Sequence, residues 1–158
     1  MNDGLYPHSD DKHGDVQKGF QQSLDELNVE YIDLWLMHWP MAKNPETSKH
    51  YSASEGPTFV ETWRQMEKML ESGKVKAIGV SNFSRKNLEV LLKEAKVVPA
   101  VNQVECHPYL PQNGLAEYCA SKGIVLTAYC RASPCQLRKR GTLTFTSGST
   151  WYDGLAHA

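Results

Sequence analysis

Helical and strand patterns alternate four times along this chain, and this alternation limits the folds it can adopt. Each amphipathic segment has apolar residues three and four positions apart, which indicates a helix packed on one side. Each is followed by a short apolar run, which indicates a strand buried on both faces. The predicted helices are Asp15–Leu27, Thr58–Ser72, Ser84–Lys96 and Asn113–Lys122, and the predicted strands are Tyr31–Met37, Val75–Val80, Ala100–Glu105 and Ile124–Tyr129. This order predicts an α/β fold with a parallel sheet and right-handed crossovers.

The turns between these segments distinguish between the two common parallel folds. No Gly-x-Gly-x-x-Gly turn follows any predicted strand, which argues against a doubly wound dinucleotide-binding sheet. The remaining parallel arrangement is a (β/α) barrel, which closes with eight strands in about 250 residues. Because the 158 residues contain four predicted strands, we predict a partial (β/α)8 barrel of four βα units.

The composition predicts an ordinary soluble globular protein. Hydrophobic residues make up 41% of the chain, charged residues 22%, and the net charge is −1. This balance gives no electrostatic reason to expect a nucleic acid or a membrane surface as partner. Since Met1–Asp11 has no apolar segment typical of a secretory signal, we expect a cytoplasmic protein. The cysteines Cys106, Cys119, Cys130 and Cys135 are then expected to be reduced thiols.

Three segments are predicted along the chain. Residues 1–14 form a polar leader, residues 15–130 form the barrel portion, and residues 131–158 form a tail without amphipathic periodicity. Within the barrel portion, residues 42–56 are polar and turn-rich, which predicts a long loop with a functional or flexible character.

Polar residues stand at the end of every predicted strand. His38 ends the run Leu34–Met37, Ser81 and Asn82 end the second strand, and Tyr129 ends the fourth; the third strand contributes Asn102, Gln103, Glu105 and His107. Taken singly, each has a structural explanation, since Ser81 and Asn82 can cap a helix and Gln103 can be a satisfied core amide. Together they predict a site, because the carboxyl ends of parallel barrel strands surround one pocket.

The residue types at these strand ends restrict the chemistry. There is no Gly-x-Ser-x-Gly nucleophile turn and no clustered His/Cys metal motif in the sequence, so no metal is expected. Amide and hydroxyl groups suit a neutral amide, and a tyrosine ring suits stacking on an aromatic ring. The combination predicts a nicotinamide site in which Ser81, Asn82 and Gln103 hold the carboxamide and Tyr129 packs on the ring. His38 is predicted to orient or polarise a carbonyl oxygen.

At these positions the sequence resembles the aldo-keto reductases, most closely the aldose-reductase-like members of fungi and other eukaryotes. The matching segments are Tyr31–Pro40, Gly73–Phe83, Asn102–Gln112 and Leu126–Tyr129. The resemblance implies the central four βα units of a (β/α)8 TIM barrel, the cofactor NADP(H), and reduction of a small aldehyde or ketone by hydride transfer. It implies His38 as a catalytic residue, Ser81, Asn82, Gln103 and Tyr129 as nicotinamide-binding residues, and Trp39 as a substrate-binding residue.

The sequence also departs from the family pattern at both ends. The family's catalytic Asp, Tyr and Lys lie on strands for which residues 1–14 are too short, and residues 131–158 do not match its phosphate-binding segment. The resulting expectation is a truncated reductase with little or no activity alone. Two alternatives stay open: a non-catalytic half-barrel that binds a partner subunit through its sheet edges, and a gene-model fragment that does not fold.

Overall fold

The computed structural model describes residues 15–41 and 58–129. The predictions for residues 1–14, the loop 42–56, Cys130 and residues 131–158 lie outside this range. Helices and strands alternate through the described residues as predicted. In chain order they are α1 Asp15–Leu27, β1 Ile32–Met37, α2 Phe59–Glu71, β2 Val75–Ser81, α3 Arg85–Glu94, β3 Val101–Glu105, α4 Asn113–Ser121 and β4 Val125–Tyr129.

The four strands form one parallel sheet in the order β1-β2-β3-β4, which confirms the predicted topology. Ser81 pairs with Gln103, and Gln103 pairs with Thr127. Because side chains alternate across a strand, these three residues share one face of the sheet. We call this the inner face, and its C-terminal edge carries the predicted site.

The hydrophobic core lies between the opposite face of the sheet and the helices. Met37, Ile78 and Val80 come from the strands, and Trp63 and Leu88 come from α2 and α3. Burial is less complete on the inner face than the sequence pattern predicts, since Leu34 is 40% exposed and Val125 is 50% exposed. The reason is that, within the described residues, β1 and β4 each pair with one strand only.

A capping box holds the start of α2, as the Thr58-x-x-Glu61 pattern of the sequence predicts. The Thr58 hydroxyl accepts a hydrogen bond from the Glu61 backbone N–H at 3.3 Å, and the Glu61 carboxylate accepts one from the Thr58 N–H at 2.7 Å. The helix ends before Gly73, which takes the positive φ of 77° that a residue after a helix often requires.

Helix α3 ends two residues before the predicted Lys96, and the cause is a tertiary contact. The Lys96 and Val97 backbone N–H groups donate to the Glu67 carboxylate of α2, at 2.8 and 2.9 Å, instead of to carbonyls of their own helix. The chain is already extended at Ala95, with ψ of 134°. Periodicity within α3 cannot reveal a carboxylate contributed by another helix.

We predict that Gly79→Ala destabilises the fold by about 1–3 kcal/mol, the usual cost of overpacking. A Cβ at Gly79 would lie 2.7 Å from Leu36 Cδ2 and 2.8 Å from the Val101 carbonyl oxygen. Equilibrium urea unfolding measures the change. Gly19→Ala in α1 is the matched control, because nothing lies within 4 Å of its added Cβ and alanine favours helix. Equal effects of the two substitutions would contradict the packing argument.

Candidate active site

The parallel order of the strands brings the predicted site residues to one edge of the sheet. Ser81 and Gln103 are register partners, and Tyr129 pairs with Glu105 two residues further along the same face. His38 directly follows Met37, whose partner is Val80, so it stands level with Ser81. Residues separated by more than 90 positions thus meet at the carboxyl ends of four neighbouring strands.

Asn82 connects all four strand ends through hydrogen bonds. Its backbone N–H donates to the Gln103 carbonyl at 2.9 Å, and its Nδ2 donates to the His38 carbonyl at 2.9 Å. Its Oδ1 accepts a hydrogen bond from the Tyr129 hydroxyl at 2.7 Å. Asn82 has a left-handed backbone with φ of 61°, which asparagine tolerates better than most residues. This turn directs the side chain back across the strand ends.

Ser81 supports this arrangement from a buried position. It is 2% exposed, its hydroxyl donates to the Gln103 carbonyl at 2.7 Å, and its Oγ accepts from Asn82 Nδ2 at 3.3 Å. The Gln103 side-chain amide makes no hydrogen bond to the part of the chain that the structure describes. Gln103 therefore has both a donor and an acceptor available for a ligand.

Asn102 has a structural role in the turn after β2. The sequence analysis did not distinguish this role from that of Gln103. It is 0% exposed, and its side chain pairs with both backbone groups of Phe83: Oδ1 accepts from the N–H at 3.3 Å and Nδ2 donates to the carbonyl at 2.9 Å. Strict alternation along β3 was the available signal, since adjacent residues point to opposite faces. Asn102 thus holds the turn that carries Asn82 from the core side.

The buried region around Asn102 includes Cys119 of α4. Asn102 Nδ2 lies 4.0 Å from Cys119 Sγ. Burial raises the pKa of the Cys119 thiol, and the hydrogen bond from Asn102 opposes part of this rise. Cys106 and Cys119 both carry free thiols. A buried thiol with a raised pKa is a packing group rather than a nucleophile.

The loop after β3 fixes the backbone of Tyr129. The Cys106 N–H donates to the Tyr129 carbonyl at 3.3 Å. Two contacts hold the loop itself. The Glu105 carboxylate lies 3.1 Å from His107 Nε2, and Gln112 Nε2 donates a hydrogen bond to the Glu105 carbonyl at 3.1 Å. Tyr129 is consequently held at its backbone by this loop and at its hydroxyl by Asn82. Gln112 is a supporting residue that the sequence analysis did not identify.

His38 and Trp39 lie at the β1 side of the site. Both are half-buried, and their ring centroids are 5.9 Å apart with a tilt of 34°. The His38 backbone is tied directly to Asn82, whereas Trp39 adjoins the site through the His38 ring. Five of the six predicted residues thus form one hydrogen-bonded group, and Trp39 borders it.

The chemical groups that converge on the strand ends define the type of site. Residues 15–41 and 58–129 contain no group of three or more His, Cys, Asp or Glu side chains arranged to hold a metal ion. None of the helices in these ranges is long and apolar enough to cross a bilayer. The groups that converge on the strand ends are amides, hydroxyls, an imidazole and aromatic rings. Such a set recognises a planar polar ligand through hydrogen bonds and stacking.

Similarity to known proteins agrees with this fold. The model of the aldo/keto reductase family matches residues 5–144. An aldo-keto reductase family 1 member A1 of Gallus gallus is 44% identical over 124 residues, covering 73% of this chain and 37% of the relative. A glycerol 2-dehydrogenase (NADP(+)) of Saccharomyces cerevisiae is 42% identical over 134 residues, covering 75% of this chain and 43% of the relative.

A solved structure shows the same partial overlap. A Bombyx mori aldo-keto reductase in complex with NADP superposes with a TM-score of 0.69 at 34% identity, covering 76% of this chain and 38% of that protein. The parallel sheet with its alternating helices therefore corresponds to part of a (β/α)8 barrel. The chain belongs to the aldo/keto reductase family, and it spans about two fifths of the length of the relatives it matches.

Proposed function

We propose that this chain supplies the nicotinamide side of an NADP(H)-dependent carbonyl reductase, with a small aldehyde or ketone as substrate and the cytoplasm as its location. The proposal rests on the hydrogen bonds of Asn82, which join residues at four strand ends into one polar group beside the aromatic ring of Tyr129. The Saccharomyces cerevisiae glycerol 2-dehydrogenase (NADP(+)) and the Bombyx mori reductase in complex with NADP support the choice of cofactor.

The residues fit a nicotinamide by the chemistry of their groups. A carboxamide needs an acceptor for its N–H₂ and a donor for its oxygen, which Asn82 Oδ1 and the Gln103 side chain provide. The Tyr129 ring, tethered at both ends, offers a flat surface for stacking. When bound, the cofactor supplies the hydride that reduces the carbonyl carbon. Ser81, which is buried beside Asn82, is the third residue proposed for the carboxamide-binding site.

His38 and Trp39 are proposed to act on the substrate side. The His38 ring can donate a hydrogen bond to the carbonyl oxygen and so stabilise the negative charge that develops there. Trp39, next to it, can line the pocket for the carbon chain of the substrate. The resemblance to the family implies that a tyrosine donates the proton that completes the alcohol. No residue of the matching segments corresponds to that tyrosine.

The 158 residues by themselves are proposed to bind nicotinamide nucleotides without appreciable turnover. General acid catalysis typically supplies about 10²–10⁴-fold in rate, so a site without its proton donor should be slower by that factor or more. NADPH oxidation with a reactive aromatic aldehyde, at a rate matching full-length relatives, would contradict this part of the proposal.

A thermal melt of the purified chain with and without NADPH tests the binding function. Because a ligand that binds only the native state stabilises it, NADPH is expected to raise the melting temperature. Gln103→Leu should weaken NADPH binding by roughly tenfold, about the value of one to two hydrogen bonds. Gln22→Leu, on the exposed face of α1, is the matched control and should leave binding unchanged. A cooperative transition that NADPH does not move would refute the proposed function.

A second candidate function is that of a half-barrel that binds a partner subunit. Leu34 and Val125 favour it, because both are exposed on the inner face of β1 and β4, which are the edge strands among the described residues. Unpaired strand edges can accept a strand from another chain. Light scattering during size-exclusion chromatography separates the candidates: a strictly monomeric, NADPH-binding chain supports the reductase site, and a stable oligomer without NADPH binding supports the partner function. If the chain shows no cooperative thermal transition, the result would instead support the third alternative, a gene-model fragment that does not fold.

A further inference from the structure

The start of α4 holds the only Asn-Gly pair in the sequence, Asn113 followed by Gly114. Both residues are exposed, and a Cβ added to Gly114 would meet nothing within 4 Å. An asparagine before glycine is the most prone to lose its side-chain amide, because glycine leaves the next backbone nitrogen unshielded and lets the chain bend toward the side chain. The surroundings of this pair therefore leave that reaction open in the folded protein.

The backbone nitrogen of Gly114 is available as the nucleophile. The first hydrogen bond of α4 runs from the Ala116 N–H to the Gln112 carbonyl at 2.8 Å. The Gly114 N–H makes no hydrogen bond to any group in residues 15–41 and 58–129, as is usual in the first turn of a helix. Gln112 has a positive φ of 53° and its side chain does not cap the helix. Reaction thus requires only that the first turn of α4 opens.

We propose that Asn113 is a self-modification site at which the folded chain releases its side-chain amide as ammonia. The Gly114 nitrogen forms a bond to Asn113 Cγ while the bond from Cγ to Nδ2 breaks, and the proton of the Gly114 N–H leaves with the ammonia. Water then opens the cyclic imide at one of its two carbonyls. One opening gives aspartate, and the other gives isoaspartate, in which the main chain runs through the side-chain carboxyl carbon.

The two products have different effects on α4. Aspartate adds a negative charge to a first helical turn that has no acidic residue, where the helix dipole favours it. Isoaspartate adds one carbon to the main chain between the Gln112 carbonyl and the Ala116 N–H, so it breaks the hydrogen bond between them. The helix start then loosens beside Gln112, whose side chain holds the loop after β3 by donating to the Glu105 carbonyl at 3.1 Å.

The test incubates the native chain in mildly alkaline buffer, with and without urea, and follows Asn113 by peptide mass spectrometry. Residues 97–122 form one tryptic peptide, so the fully buried Asn102 serves as an internal reference. In the folded chain we expect both products to accumulate at Asn113 while Asn102 stays intact. The rate should be lower than in urea, because the first turn must open. An Asn113 that stays unmodified in the folded chain, or that reacts equally fast with and without urea, overturns the proposal.

Substitutions separate the role of Gly114 from general effects on the fold. Gly114→Ala should strongly suppress the reaction, because its methyl group hinders attack, and alanine suits a helix with open space around it. Gly19→Ala makes the same change in α1, also in open space, and should leave the rate unchanged. Equal rates in Gly114→Ala and the native chain would overturn the proposal.

An authentic aspartate form is available as the variant Asn113→Asp. The isoaspartate form, separated by chromatography, should exchange its Ala116 amide proton faster than this variant does, because the acceptor at Gln112 is lost. Equal exchange of Ala116 in the two forms would refute the proposed loosening of α4.

Discussion

Trp63→Ala is expected to lower the free energy of unfolding by about 3–5 kcal/mol, as large-to-small changes at buried tryptophans do. Trp63 is 0% exposed, and its Nε1 donates to the Val97 carbonyl at 3.2 Å. The substitution opens a cavity between α2 and the segment that precedes β3. Since domains are stable by only about 5–15 kcal/mol, this loss consumes a large share of the total.

Equilibrium urea unfolding, followed by tyrosine fluorescence and circular dichroism, measures the effect. Trp63→Phe is the matched control, because it keeps most of the buried volume and removes the hydrogen bond. We expect it to cost clearly less than Trp63→Ala. If the two variants are equally stable, volume at this position does not hold α2 to the sheet, and the core described above is wrong.

Asn102→Leu is expected to cost about 2–6 kcal/mol and to weaken nicotinamide nucleotide binding. Leucine has a similar size but cannot pair with the Phe83 N–H and carbonyl, which Asn102 satisfies at 3.3 and 2.9 Å. Each buried polar group left without a partner costs about 1–3 kcal/mol. The turn that holds Asn82 in its left-handed conformation loses its support from the core, so binding should fall together with stability.

The control for this prediction is Asn87→Leu on α3, whose side chain makes no hydrogen bond within the described residues. Urea unfolding gives the stability of both variants, and calorimetry with NADPH at low temperature gives their affinity while folded. A stable Asn102→Leu variant that binds NADPH like the native chain would show that Asn102 supports neither the fold nor the turn.

Local patterns determined which segments become helices and strands. The helix Asp15–Leu27 and the capping box of Thr58 and Glu61 appear in the structure as their local sequence patterns predict. These features depend on neighbours within four residues, so the sequence carries them directly. Alternation of the elements was also enough to predict the parallel sheet, because short βα connections leave few other topologies.

The family motifs named the residues of the site, and the sheet register determined how they meet. Nothing near Asn82 in the sequence shows that its amide reaches His38, 44 positions earlier, and Tyr129, 47 positions later. The separate roles of Asn102 and Gln103 likewise depend on which face of β3 is covered by helices.

The sequence by itself thus determined the element types, the parallel order and the polar residues at the strand ends. Only the tertiary structure decided where α3 stops, which strand-end amide supports the fold, and in which direction Asn82 presents its oxygen. The physical reason is range: periodicity and capping act within a few residues, whereas hydrogen bonds such as those of Glu67, Asn102 and Asn82 join groups about 20 to 50 residues apart.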